Sequence, residues 1–174
     1  SIESFVKPRN VFGISSNVRG DSSKKNRPIT LHSSKGKGYL NKFDFAKGQA
    51  FVDKYKIMMS KVTSEHAGEP DSAGKYRVLS SSSVIEPSHV CTDSYLIIGP
   101  FESKKQASDF HNYMKTKFFR YLLLQATTSI NLSTEKFCFI PTQTNYTLAD
   151  KDYYKKYKLS KEEIEEIENT IKDY

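Results

Sequence analysis

Apolar and polar side chains change their spacing several times along the chain. Ile29-Thr30-Leu31-His32-Ser33 alternates, the period of a half-buried strand, while Lys56-Ile57-Met58-Met59-Ser60-Lys61-Val62 and Ser94 to Ile98 are near-continuous apolar runs that predict buried strands. The second of these is expected to stop at Gly99-Pro100. Shorter strand candidates are Tyr76-Arg77-Val78-Leu79, Val84-Ile85 and Lys136 to Ile140, the last ended by Pro141. Helical spacing takes over elsewhere. Ala46 to Lys54 predicts a short helix, and Ala107, Phe110, Met114, Phe118 and Tyr121 step by three or four behind the capping box Ser103-Lys104-Lys105-Gln106. That stripe predicts one long central helix over about 103–124. A second capping box, Ser160-Lys161-Glu162-Glu163, opens a helix over about 160–173 with Ile164, Ile167 and Ile171 on one face. Asp152 to Tyr157 is a short aromatic and basic segment between them. No βαβ alternation and no internal repeat occurs, so the expected class is α+β, with a mixed or antiparallel sheet.

The intervening stretches are rich in turn formers. Asn17 to Pro28 reads as an exposed loop, and Lys35-Gly36-Lys37-Gly38 as a glycine turn carrying two ammonium groups. Thr63 to Lys75 and Thr127 to Asn131 are polar loops suited to binding. A length of 174 residues fits a single domain. The start, Ser1-Ile2-Glu3-Ser4-Phe5, lacks both an initiator Met and a basic stretch followed by an apolar one, so the chain reads as a fragment of a larger protein. Its longest apolar runs fall far short of the roughly 18 to 20 residues that a membrane helix needs.

Charge sharpens this picture. Residues 1–64 hold 13 Lys and Arg against 4 Asp and Glu, a net +9, whereas residues 65–174 hold 14 against 16, a net −2. The whole +7 excess is therefore N-terminal, and a polyanion such as nucleic acid is the expected partner. Cys91 and Cys138 lie outside any C-x-x-C spacing, and each sits beside strand-like sequence where a buried, unliganded thiol is expected. A reducing, cytoplasmic setting is expected.

Catalytic chemistry finds little support. Gly36-Lys37-Gly38 lacks the third glycine and the following helix of a dinucleotide loop, and no P-loop or N-P-P-aromatic motif is present. His32, His66, His89 and His111 form no i, i+4 pair. One pattern points the other way. Pro70-Asp71 followed by Glu102-Ser103-Lys104 matches the P-D…[D/E]-x-K arrangement of Mg²⁺ nucleases, where clustered carboxylates hold the metal and Lys orients water. Asp71 falls in a loop and Glu102 beside a helix cap, so an autonomous nuclease on Asp71, Glu102 and Lys104 stands as the alternative. A protein-interaction module built on the acidic tail helix is a further one. No catalytic or metal-ligating residue is otherwise assigned.

Recognition chemistry is better supplied. Arg9, Arg19, Lys35, Lys37, Lys61 and Lys75 fall in turns or at strand ends, where long cations reach phosphate oxygens. Asn10, His66, Arg77, Ser81, Ser82, Thr127, Thr128 and Asn131 are candidates for base-edge hydrogen bonds. Lys104, Lys105, Lys115, Lys117 and Arg120 are placed on the solvated face of the long helix.

In order along the chain, Pro8-Arg9-Asn10-Val11-Phe12-Gly13, Ser33-Ser34-Lys35-Gly36-Lys37-Gly38-Tyr39, Asp53-Lys54-Tyr55-Lys56 with Ser60-Lys61, and Val90 to Phe101 form a recurring set. With Phe137-Cys138-Phe139-Ile140-Pro141-Thr142-Gln143 and Tyr154-Lys155-Lys156-Tyr157, they resemble the C-terminal target-recognition region, or TaqI-like specificity domain, of type II restriction–modification adenine methyltransferases and their endonuclease fusions. The resemblance implies a domain that selects double-stranded DNA without modifying it. It places the methyltransferase or endonuclease domains, with S-adenosylmethionine and possibly Mg²⁺, upstream in the same polypeptide, and implies no cofactor here. Thr63 to Ser83 and Thr127 to Lys136 depart from the expected pattern, and target choice is expected to reside in the first of these, with Thr127 to Asn131 the next candidate.

Overall fold

The computed structural model describes residues 1–62, 69–128 and 131–174. The fold is α+β, as the spacing predicts. Its residues group into two compact units, 5–61 with 82–107, and 1–4 with 62–81 and 108–174.

The first unit is a β unit. It contains β1 (Ile29–Ser33), β2 (Gly36–Leu40), a single helical turn α1 (Gln49–Val52), β3 (Tyr55–Ser60), β4 (Ser82–Ile85), β5 (His89–Cys91) and β6 (Tyr95–Phe101). One sheet has the order β2-β1-β5, with β1 antiparallel to β2 and parallel to β5; the other, β4-β3-β6, is antiparallel throughout. Phe12, Ile14, Leu31, Val52, Met58, Ile85, Val90 and Ile97 form a common core between them. Each buried side chain of this size contributes roughly 1.5–3 kcal/mol.

Two close approaches fix the loop over 17–28. Asp21 and Tyr39 exchange both backbone hydrogen bonds at 2.9 Å, which lays Arg19 to Asp21 along β2. A Cβ at Gly38 would collide with the Arg19 carbonyl, so only glycine admits this contact.

The second unit is helical and aromatic. α2 (Lys104–Lys115) carries the chain into it, and α3 (Lys117–Ala126), α4 (Asp150–Lys156) and α5 (Lys161–Thr170) follow. Phe118 stacks on Tyr153 and Tyr157, with centroids 5.4 and 5.1 Å apart, and Tyr113 meets Phe119 edge-on at 5.2 Å. Buried Gln143 ties these rings together by donating to the Tyr113 and Tyr157 hydroxyls at 3.0 Å and accepting from Lys156 at 2.7 Å.

Several expectations are corrected. The long helix over 103–124 is two helices broken at Thr116, whose extended backbone lets its hydroxyl accept from the Phe119 amide. The Asp150 carboxylate takes the freed Lys117 and Phe118 amides at 3.1 and 2.8 Å, so the break costs no backbone hydrogen bonds at the new N-terminus. Arg120 is not on a solvated face. It is 1% exposed, donating to the carbonyls of Lys115, Thr116, Arg77 and Lys172. Residues 136–140 form no strand; a 3₁₀ turn spans Thr134–Phe137, burying Phe137 and Ile140 at a spacing of three and leaving Cys138 exposed beside Phe139. Cys91 is buried as expected.

Gly99-Pro100 does not stop β6, which runs on to Phe101 with Pro100 exposed and an irregular register opposite Tyr55 and Ile57. In the 76–79 segment Tyr76 bridges to Ile171, and the segment then turns: Val78 adopts a positive φ of 70° and the Leu79 amide donates back to the Arg77 carbonyl in a γ-turn. The same pairing ends α5 at Thr170 rather than 173, since Ile171 is extended. The aromatic and basic segment at 152–157 is helical, as part of α4, with its N-terminal Ala149 amide donating to Asp152 at 3.0 Å.

Candidate nucleic-acid interface

The division into units also divides the charge. The β unit holds 15 Lys and Arg against 6 Asp and Glu, a net +9, and the helical unit 12 against 14, a net −2. Arg9, Asn10, Arg19, Lys35, Lys37, Lys61 and Ser82 lie in the β unit, whereas Lys75, Arg77, Ser81, Thr127, Thr128 and Asn131 lie in the helical one. His66 lies outside the described residues.

In the β unit the β1–β2 turn is locked locally, since the Ser33 hydroxyl donates to the Gly36 carbonyl at 3.0 Å and accepts from the Lys35 amide at 3.3 Å. Lys35 and Lys37 project from it, both exposed. Arg19 is exposed too, its guanidinium steadied by the Ser16 and Val18 carbonyls at 2.6 and 3.1 Å. Arg9 keeps 70% of its side chain in solvent while reaching Asp93 at 3.4 Å. Lys61 is different. It is largely buried and 2.9 Å from the other Asp93 oxygen, so its charge is balanced on the spot. The Lys61 hydrogen bond, with Arg9 nearby, holds the Asp93 carboxyl below its ordinary range. Asn10 is partly buried at a positive φ of 54°, and its side-chain oxygen has no hydrogen-bond partner among the described residues. Ser82 opens β4.

Three features here escaped the sequence reading. Phe43 is 96% exposed, at a turn closed by the Asp44 carboxylate on the Asn41 amide at 2.7 Å and flanked by exposed Lys42. An aromatic ring wholly in water, held by a rigid turn in a cationic unit, is placed to contact a partner. Next, parallel pairing of β1 and β5 brings His32 Nε2 within 2.8 Å of His89 Nδ1. Burial first, then the neighbouring His89, push the His32 imidazole down to about 4, and burial with Lys56 and Lys37 lowers His89. The sequence spacing of 57 residues hides this pair, which only strand adjacency creates. Lastly, Lys56 is fully buried with its ammonium on the carbonyls of Val52, Lys54 and Glu86, and burial pushes it down to about 8.

In the helical unit the candidates are mostly engaged. Lys75 donates to the Glu168 carbonyl at 3.2 Å, and the Thr127 hydroxyl to the Leu123 carbonyl at 2.7 Å. Thr128 accepts from Lys136 at 3.4 Å, and Asn131 bridges to Val62. Arg77 lies over the Tyr174 ring at 5.0 Å, and its buried Nε has no hydrogen-bond partner among the described residues. Ser81 is exposed.

The three residues of the nuclease pattern are each committed elsewhere. Asp71 accepts from the Ala73 and Lys75 amides and from Lys172, and these bonds, Lys75 foremost, lower its carboxyl. Glu102 holds Lys54 at 2.7 Å, and Lys104 holds Glu86 at 3.1 Å. Among the described residues no group of three or more His, Cys, Asp and Glu is placed to hold a metal ion. No helix among them is long and apolar enough to cross a membrane. No family model, curated protein or solved structure matches the chain.

Proposed function

We propose that this chain is a double-stranded DNA recognition domain, serving a separate adenine methyltransferase or endonuclease domain of a type II restriction–modification protein in the bacterial or archaeal cytoplasm. The observation that carries the reading is the segregation of charge. All of the positive excess belongs to the unit whose turns present Arg9, Arg19, Lys35 and Lys37, with an exposed Phe43 among them. Cations of this kind take phosphates and set register, and the aromatic ring supplies the apolar contact that protein–DNA surfaces use against bases or sugars. Sequence choice then falls to the short polar groups of the same unit, Asn10 and Ser82. The family resemblance supports the same reading, and S-adenosylmethionine and Mg²⁺ belong to the partner domains.

The test is selection of duplexes from a random pool by the full chain, with and without Mg²⁺. A recurrent enriched sequence, retained intact, is the expected result. Failure to retain any duplex at low salt overturns the proposal, and Mg²⁺-dependent cleavage that Asp71→Ala and Glu102→Ala abolish makes the chain a nuclease instead.

A further inference from the structure

Within the helical unit, an open groove of about 440 Å³ runs between α3 and α5. Its apolar wall is Phe118, Tyr121 and Leu122 from α3, with Leu159 and Ile167. Phe118 and Ile167 are buried and form the floor; Leu122 and Leu159 are partly exposed. The remaining wall is acidic, Glu162, Glu163 and Glu166 of α5. Lys161 turns to Glu165 and Lys117 to Glu168, so none of these three has a cationic partner among the described residues. The carboxylates also act on the groove side of α3: after burial, Glu166 and Glu163 are what raise the Tyr121 hydroxyl.

We infer that this groove docks a cationic amphipathic peptide segment of a partner protein, taking its aliphatic side chains on Leu122, Leu159 and Ile167 and its Lys or Arg side chains on Glu162 and Glu166. The volume lies in the range of sites that enclose several side-chain groups, and the lining offers an approaching ligand almost only apolar surface and negative charge. Among the side chains that line it, the Tyr121 hydroxyl is the hydrogen-bond donor. Glu162 and Glu166 stand one helical turn apart, on the same face, which matches cations at i and i+4 of a helical segment laid along α5. This inference is independent of the DNA reading, since the acidic groove and the +9 unit involve different residues.

The experiment is a methyl NMR titration of the full chain with a synthetic Leu-Lys-Lys-Leu repeat peptide and with its Leu-Glu-Glu-Leu counterpart. The cationic peptide is expected to shift the Leu122, Leu159 and Ile167 methyls saturably and the acidic one to leave them unmoved. In the folded double variant Glu162→Lys/Glu166→Lys the affinity is expected to fall about tenfold or more. Glu162→Gln/Glu166→Gln replaces it if the lysine variant does not fold. The inference is overturned if both peptides shift these methyls alike, or if a folded variant binds as the parent does. Spermine matching the peptide at equal concentration would make the site one for small cations, and methyl shifts that follow protein concentration alone would make the occupant a second copy.

Discussion

The two units bury a cation in the same way, on backbone carbonyls, and differ in the balance of charge they carry. In the β unit the buried cation is Lys56, a strand residue whose ammonium is met by three carbonyls and whose proton affinity drops. Most other cations of that unit are left on turns, and the surface stays strongly positive. In the helical unit Arg120, Lys117 and Lys172 are drawn inward onto carbonyls and carboxylates, while Lys151, Lys155, Lys158 and Lys161 stay exposed along with most carboxylates of α5. The net charge difference of eleven between the two units is one of composition, 15 cations against 6 acids in the first and 12 against 14 in the second. The proposed DNA surface lies in the unit of positive excess, and the proposed peptide groove in the unit of slight negative excess.

The strongest way to break the helical half is Arg120→Met. Four carbonyls lose the guanidinium; those of Arg77 and Thr116 keep the Leu79 and Arg120 amides, so at about 1–3 kcal/mol for each buried acceptor left short, at Lys115 and Lys172, the denaturant midpoint is expected to fall by the equivalent of about 2–5 kcal/mol. A change under about 1 kcal/mol, within the range of ordinary surface substitutions, would show that Arg120 is not the anchor described. In the β half, Gly38→Ala forces a Cβ against the Arg19 carbonyl and is expected to cost about 1–3 kcal/mol, with hydrogen exchange at the Asp21 and Tyr39 amides accelerating first. Unchanged protection of those amides would contradict the close approach.

Phe43 sharpens the comparison at smaller cost. The chain contains no Trp, so Phe43→Trp creates a single indole reporter on the positive unit. Stability is expected to change by less than about 0.5 kcal/mol, as for other exposed positions, and emission to be quenched on adding duplex DNA. Duplex binding without any change in emission would remove this ring from the interface while leaving the charge argument in place.

A further effect is expected on acid stability. His32 and His111, one in each unit, are both pushed down to about 4 by burial. The unfolded chain therefore binds more protons between about 6.5 and 4, and stability is lost as pH falls through that window. His32→Gln and His111→Gln are each expected to flatten part of that slope in urea titrations at stepped pH; an unaltered slope would show that neither imidazole resists protonation in the fold.

Particular residues show why sequence reading reaches so far. Ile29 to Ser33 and Tyr95 to Ile98 were legible because strand patterning is local, and Ser160 to Glu163 because a capping box is written in four residues. Thr116 was not. The apolar stripe continues across it in phase, so periodicity alone gives one helix, and the break depends on Asp150, more than thirty residues away. The site divides the same way. That the first part of the chain carries the charge could be read directly, but the burial of Lys61 on Asp93, the His32–His89 contact and the exposure of Phe43 arise from tertiary pairing.

The central claim, that the β unit is an electrostatic surface for DNA, is tested most directly by the salt dependence of duplex binding to the full chain and to its Lys35→Ala/Lys37→Ala variant. Log–log plots of affinity against salt are expected to be linear, with a slope of about −0.9 per phosphate neutralised, and the variant is expected to be shallower by about one to two contacts. A variant with the parent's slope and affinity, or a parent whose binding does not respond to salt, would contradict the account.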